Sequence, residues 1–403
     1  MSKPVVAIVG AGFSGVLTAL SILETPGSRA RVHLIEQADR FGVGAAFGAD
    51  QPEHLLNVRA MNMSADPDQL DEFAQWLGRR RRGPPEPFAF ASRAEYGAYV
   101  QERLRHVAQS RAAAERLDLV QDAVADITEA GDGFKLRLAM GRELRADRVV
   151  LATGNAPPSR AVLPDPAFAS HGSYVGDPWK PDALEAVAPD DPVLLLGSGL
   201  TMVDVVATLD ARGHRAEITA LSRRGLRPHR HARAEPHPAA WRRAPDEPLS
   251  VSLGRFRRDA VRTGDWRGLF DTLRADTQAH WKALSLGERR RFLRCLRPWW
   301  DIHRHRLSPA MADRLDGWLA RQLRIEAGRL DSLTDWGGRI EAAWNPRGAR
   351  TLERRIVRWV INCTGPEGDP RESLSPLIQG LVQSGLVRSD PSALAWTRRR
   401  TAG

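Results

Sequence analysis

A short apolar strand, a glycine-rich turn and a helix-compatible stretch follow one another twice in this chain, from Val5 and again from Pro192. Two further apolar strands close in Thr-Gly, at Thr153-Gly154 and Thr364-Gly365, before and after the second of these units. Together these observations predict an α/β protein with two Rossmann-like dinucleotide-binding domains carrying helical insertions. The length of 403 residues agrees, since it has room for about two to three domains and a large buried core without disulfide or metal staples.

Val5 to Val9 is β-branched and apolar, the pattern of a buried parallel strand. It runs into Gly10-Ala11-Gly12-Phe13-Ser14-Gly15, and Val16 to Leu23 continue as helix. In a G-x-G-x-x-G turn the first glycine permits the tight bend and the second lets the backbone approach a pyrophosphate. The third brings helix and strand together, with the helix N-terminus facing the phosphates. A second strand, Arg31 to Ile35, ends at Glu36, 26 residues beyond Gly10. A carboxylate there accepts hydrogen bonds from a ribose 2′-hydroxyl.

The second unit repeats the plan with different chemistry. Strand Pro192 to Leu196 leads into Gly197-Ser198-Gly199-Leu200-Thr201-Met202, so methionine replaces the third glycine. The next strand, Ala216 to Leu221, ends in Ser222-Arg223-Arg224-Gly225, and Arg223 stands 26 residues after Gly197. That is the offset of Glu36 in the first unit. A carboxylate would repel a 2′-phosphate, whereas arginine grips it with paired charge-assisted hydrogen bonds. NADPH is therefore expected over NADH at the second site. Opposite ribose chemistry at two sites points to a flavin and a nicotinamide nucleotide in one chain.

Composition narrows the alternatives. The chain is 42% apolar and 27% charged, which excludes a wholly disordered protein. Its net charge of +10 comes with 55 arginines against four lysines, scattered rather than gathered in one arm. Anionic small molecules are expected partners, and nucleic acid is not. The cysteines, Cys295 and Cys363, form no C-x-x-C, so disulfide-reductase chemistry is excluded. With no apolar run long enough to span a bilayer and no signal-peptide pattern at the N-terminus, a cytoplasmic protein without membrane contact is expected.

Between the turns, Asp66–Arg82 and Ser92–Leu117 read as helices inserted in the first domain, broken at Gly83-Pro84-Pro85-Glu86-Pro87. Leu119–Ile127, Phe134–Ala139 and Glu143–Leu151 alternate as strands. Arg255–Arg321 is a strongly helical insert in the second domain, and nine of the 12 tryptophans lie between Trp241 and Trp359. Most of these are expected in packing. His303-Arg304-His305-Arg306 cannot all grip one ligand from a helix, because only His303 and Arg306 share a face. His229 and His231 lack acid or thiol companions at ligand spacing, so no metal is expected.

Several longer strings carry a family resemblance. They are the first turn, His54-Leu55-Leu56-Asn57-Val58 with Met63-Ser64, Asp177-Pro178-Trp179, Gly199 to Asp204, Ser222 to Leu226, and Trp300 to Arg306. From about Val5 to about Asp390 the chain resembles the bacterial FAD/NAD(P)-binding proteins, relatives of the N-hydroxylating flavin monooxygenases. The resemblance implies FAD in residues 1–160, NADP(H) in residues 175–360 with the insert at 255–321, and a return segment at 361–403. It places Gly10, Gly12, Gly15 and Glu36 on the FAD pyrophosphate and ribose, and Asn57 and Met63 beside the flavin ring. Thr153 and Gly154 fall on a crossing-strand turn of this class, and Gly197, Gly199, Thr201, Ser222, Arg223 and Arg224 on the nicotinamide nucleotide. Arg59 and Asn62 stand where the family more often has Pro and Arg, and Phe47 where it often has Tyr.

The family continues with a final strand and helix that close over the flavin, whereas the stretch from Ala395 to Gly403 matches no such element. An incomplete return segment is expected, with weakened FAD retention. The activity implied is an FAD-dependent, NAD(P)H-using oxidoreductase that hydroxylates a small polar molecule. No catalytic residue or oligomeric state is singled out. A reductase passing electrons to a partner, and a nucleotide-binding sensor or truncated pseudoenzyme, remain open.

Overall fold

The computed structural model describes residues 3–48, 51–159, 163–232, 241–244, 246–391 and 396–398. The chain forms two compact units, Met1–Pro157 with Pro366–Gly403, and Pro158–Gly365. The crossings thus fall just after Thr153-Gly154 and directly after Thr364-Gly365.

In the first unit, strands β1 (Val5–Val9), β2 (Arg31–Glu36) and β3 (Leu117–Gln121) are followed by an antiparallel sheet of β4 (Val124–Ala130), β5 (Gly133–Leu138) and β6 (Glu143–Ala146). Strand β7 (Arg148–Leu151) returns to the first sheet, whose order is β3-β2-β1-β7, all parallel. Because side chains alternate across a strand, this sheet feeds two cores. Ile8, Val32 and Leu34 pack with Val16, Leu20, Phe73, Tyr96 and Tyr99 of the helical layer. Ala7, Val9 and Ile35 pack on the other face with Ile127, Leu136 and Leu138. Each large side chain so buried contributes about 1.5–3 kcal/mol. The helix Pro376–Gln383 of the later segment adds Leu377, Ile378 and Leu381 to this second core.

Two expected strands are each divided. Leu119–Ile127 is broken where the buried Asp122 accepts the backbone N–H of Ala123 at 2.7 Å, so β3 and β4 enter different sheets. Glu143–Leu151 is broken at Asp147, which takes the Val5 N–H at 2.6 Å and lets β6 and β7 do the same. The first inserted helix is shorter than expected, Glu72–Arg81, because Asp66 turns the chain by accepting the Asp68 N–H at 2.9 Å. The second, Arg93–Gln109, starts at a Ser92–Glu95 capping box and stops at Ser110.

The second unit has a seven-stranded sheet built from β8 (Tyr174–Val175), β9 (Val193–Leu196), β10 (Ile218–Ser222), β11 (Leu323–Trp336), β12 (Arg339–Pro346), β13 (Glu353–Val357) and β14 (Trp359–Asn362). Its order is β13-β12-β11-β10-β9-β14-β8. Strand β11 serves two neighbours in turn. Leu323–Ala327 run parallel with β10, and Gly328–Trp336 run antiparallel with β12. A Cβ on Gly328 would lie 2.8 Å from the Asn345 carbonyl oxygen, so glycine is needed at the changeover.

The helical insert begins at Leu249, six residues before the expected Arg255, and runs to Arg321 with a π-helical turn at Phe292–Leu296. Tryptophans within it and just before it pack against phenylalanines, histidines and arginines. Trp241 meets Phe256 at 5.4 Å and Arg255 at 4.3 Å, and Trp266 meets His229 at 5.1 Å and His303 at 4.8 Å. His229 is also 4.7 Å from His303. Burial, with His303, Arg267, Arg227 and Arg306 around it, pushes His229 down to about 4.

The folded His229 therefore stays neutral where the unfolded chain, titrating near 6.5, takes up a proton. Its contribution is complete above pH 6.5 and is lost as pH falls towards 4. Thermal denaturation followed from pH 7 to 4.5 should show declining stability, and His229→Gln should have a shallower decline.

Candidate functional site

The two glycine turns are built alike, from a contact the chain makes with itself. Gly10 has φ +97°, and a Cβ there would sit 2.3 Å from the Ala152 carbonyl oxygen. Gly197 has φ +120°, and its Cβ would sit 2.5 Å from the Cys363 carbonyl oxygen. Ala152 and Cys363 are the residues immediately before Thr153-Gly154 and Thr364-Gly365. Each first glycine is thus required by the neighbouring crossing strand. Gly15 is required too, because its Cβ would lie 1.9 Å from the Gly10 carbonyl oxygen. In the second unit the third position is the fully buried Met202, so that helix tolerates a side chain where the first does not.

The middle glycines differ from these. Gly12 has φ −69°, and a Cβ would find its nearest neighbour, Gly44 Cα, at an ordinary 3.5 Å. Gly199 has φ −86°, and a Cβ there would meet nothing within 4 Å. Nothing in the chain's own packing demands glycine at either place. Both residues are helix N-caps, of Phe13–Glu24 and Leu200–Ala211, and neither helix has a side-chain cap or an acidic residue in its first turn. Among the described residues no N-cap side chain satisfies the leading N–H groups of either helix.

In the first unit this turn opens on a cavity of about 640 Å³. Gly10, Gly12, Glu36, Thr153 and Gly154 line it, whereas Gly15 is packed beneath the turn. The Glu36 carboxylate accepts the N–H of Ala11 at 2.8 Å and of Ala38 at 3.2 Å, which fixes it at the end of β2. Asn57 and Met63 are not among the lining residues. Met63 packs against the helical core, and the loop after it is held by the Ala65 N–H donating to Tyr99 Oη at 3.1 Å.

The lining also includes residues that the sequence reading did not single out: Asp122, Asn155, Glu367, Gly368, Asp369 and Ser375. Arg371 hydrogen-bonds Asp369 and holds its carboxyl below the usual range. Ser375 caps the helix Pro376–Gln383. Where an incomplete return segment is expected, Glu367, Gly368, Asp369 and Ser375 line the cavity together with Leu377 and Ile378 of that helix. Only the Glu-Gly-Asp-Pro string after Gly365, polar and turn-forming beside a Thr-Gly, offered a signal for them.

In the second unit Ser222, Arg223 and Arg224 follow three courses. Ser222 Oγ lies 2.8 Å from Ser198 Oγ and accepts the Gly225 N–H at 3.0 Å, so its hydroxyl closes the turn. Arg224 donates to the Cys295 carbonyl at 3.4 Å and stands over Trp299. Arg223 is exposed and has no ion pair or hydrogen bond among the described residues. Thr201 occupies the first turn of the helix, half-buried. Cys363 is buried, and that burial, with Asp204 nearby, pushes its thiol up, so it is no nucleophile at neutral pH. Among the described residues no three His, Cys, Asp or Glu side chains gather to hold a metal ion, and no helix is long and apolar enough to cross a membrane.

Comparison with known proteins agrees with this construction. The FAD-NAD(P)-binding family pattern matches residues 7–156. An L-aspartate N-monooxygenase (nitrosuccinate-forming) of Streptomyces cremeus is 30% identical over 276 residues, 56% of this chain and 40% of that protein. The chain spans less than half the length of the curated relatives it matches. Among solved structures, the reduced ornithine hydroxylase of Pseudomonas aeruginosa aligns with a TM-score of 0.59 at 16% identity, covering 95% of this chain and 86% of the other. The ornithine N-hydroxylase of Kutzneria sp. 744, determined with reduced FAD, NADP+ and L-ornithine, gives 0.57 at 14% identity, over 97% and 88%. The fold of the whole chain is theirs, as the sequence resemblance implied.

Alanine should separate the glycines. Gly10→Ala and Gly197→Ala should each lose more than about 2 kcal/mol of stability, from positive φ and the carbonyl clash. Gly12→Ala and Gly199→Ala should stay within about 0.5 kcal/mol of the parent. Denaturant unfolding of the four variants checks this.

Proposed function

Starting from a fold shared with N-hydroxylases, we propose that the chain is an FAD-dependent, NADP(H)-using monooxygenase that hydroxylates a small polar molecule, with amino acids the first substrates to test. The observation that carries this reading is the pair of middle glycines. Gly12 and Gly199 stand without strain at an uncapped helix N-terminus, where neither is required by the chain's own packing. A pyrophosphate held by backbone N–H groups needs a glycine and a helix N-terminus at that place.

The residues fit different nucleotides at the two turns. In the first unit, Gly10 and Gly12 form the turn over the buried Gly15, Glu36 stands where a ribose hydroxyl would donate to it, and Thr153-Gly154 border the same cavity. This suits FAD, with Asp369 and the start of helix Pro376–Gln383 offering polar groups further along the cavity. Asn57 and Met63 keep their proposed place beside the flavin ring only from the family resemblance. In the second unit, Gly197 and Gly199 form the corresponding turn with Thr201 at the start of its helix, and the exposed Arg223 supplies the charge for a 2′-phosphate. Ser222 supports the turn rather than the ligand.

Bound, the two cofactors supply hydride transfer and oxygen activation. The protein's share is to bind and orient them and to keep water from the reacting centre. A cytoplasmic setting suits such an enzyme.

Purified protein given FAD should take up one flavin per chain, oxidise NADPH under air, and convert an amine-bearing substrate to an N-oxygenated product detectable by mass spectrometry. NADPH oxidation that yields only peroxide across a panel of amino acids would favour an electron-passing reductase. Protein that binds neither FAD nor NADPH would overturn the proposal.

A further inference from the structure

The turn at the end of β10 reaches the helical insert through the Arg224 side chain. Arg224 leaves the strand and donates to the carbonyl of Cys295, at 3.4 Å, inside the π-helical turn Phe292–Leu296. π-turns leave backbone groups outside the regular ladder and recur at functional sites. Four residues further on, Trp299 presents its ring to the same guanidinium, whose carbon lies 6.0 Å from the ring centroid.

Two features of this pair call for explanation. Trp299 is 44% exposed, whereas Trp318 and Trp344 in the same unit are almost wholly buried. And 6.0 Å is the outer limit of a cation–π contact. A planar ring sandwiched between two flat groups needs about 7 Å between them, twice a van der Waals spacing of roughly 3.5 Å. The guanidinium carbon stands 6.0 Å from the indole centroid, about an ångström short of that, so the two side chains part by that much to admit a ring.

We infer that Arg224 and Trp299 form a clamp for the adenine ring of the dinucleotide, the indole beneath and the guanidinium above, with the adjacent Arg223 left to hold the 2′-phosphate. This rests on the NADP(H) reading of the second unit. In a Rossmann site the ribose hydroxyl meets the residue at the end of the second strand, the place Arg223 holds, so the base lies just beyond it. Both faces of the clamp are sequence-tolerant π surfaces that take an aromatic base without hydrogen-bond readout. The insert thereby becomes part of the donor-nucleotide site: the β10 turn selects the phosphate and Trp299 holds the base.

The clamp and the phosphate grip predict different losses. Calorimetric titration of the full chain with NADP+, NAD+ and 2′,5′-ADP should show Trp299→Ala weakening all three about 5- to 100-fold. Trp299→Phe should recover most of that, since a ring remains. Arg223→Gln should weaken NADP+ and 2′,5′-ADP about tenfold or more and leave NAD+ nearly unchanged. Arg224→Ala should resemble Trp299→Ala, and the double variant should lose less than the sum. Circular dichroism checks that each variant is folded. If Trp299→Ala binds NADP+ like the parent, or Trp299→Phe fails to recover it, the clamp is wrong while the cofactor reading stands. If the parent binds none of the three, the cofactor reading fails and takes the clamp with it.

Discussion

Each unit depends on one close approach: a glycine without a side chain lying against the last carbonyl of the crossing strand. At Gly10 and Ala152, and again at Gly197 and Cys363, a single Cβ would collide with backbone that cannot yield. That contact sets where β7 lies beside β1, and β14 beside β9. It also sets the level at which each helix begins and each Thr-Gly turn leaves the sheet. The recurrence of one steric solution at two places, on different residues, gives the chain two equivalent cradles.

The cradles are equal in backbone and opposite in charge. At the end of β2 the carboxylate of Glu36 folds back onto its own turn, accepting two backbone N–H groups, and remains on the cavity wall. At the same offset in the second unit, Arg223 is exposed and finds no acceptor among the described residues. Ser198 and Ser222 close that turn without needing a charge. An exposed guanidinium gains little stability where it stands, and the proposed 2′-phosphate would give it a partner.

Much of this was legible in the sequence because local geometry dictated it. Gly10, Gly15 and Gly197 are written into the chain by sterics, and β1, β2, β9 and β10 by continuous apolar runs. The breaks at Asp122 and Asp147 were not legible: each is a polar residue inside a run that otherwise reads as strand, and only the backbone N–H groups they satisfy reveal a change of sheet. Glu367, Gly368 and Asp369 join a cavity whose turn is more than 350 residues away in the chain, beyond the reach of local patterns. Ser222, Arg223 and Arg224 read as one polar cluster, and only three-dimensional placement separates a turn-former, an exposed cation and a link to the insert. Asn57 and Met63 came from resemblance alone, and packing, not the cavity, accounts for Met63.

That one polypeptide holds two independent nucleotide sites of opposite ribose chemistry is tested most directly by equilibrium dialysis against FAD and NADP+ together. One equivalent of each per chain, with neither displacing the other, is the expected result. Competition between the two for a single equivalent would contradict it.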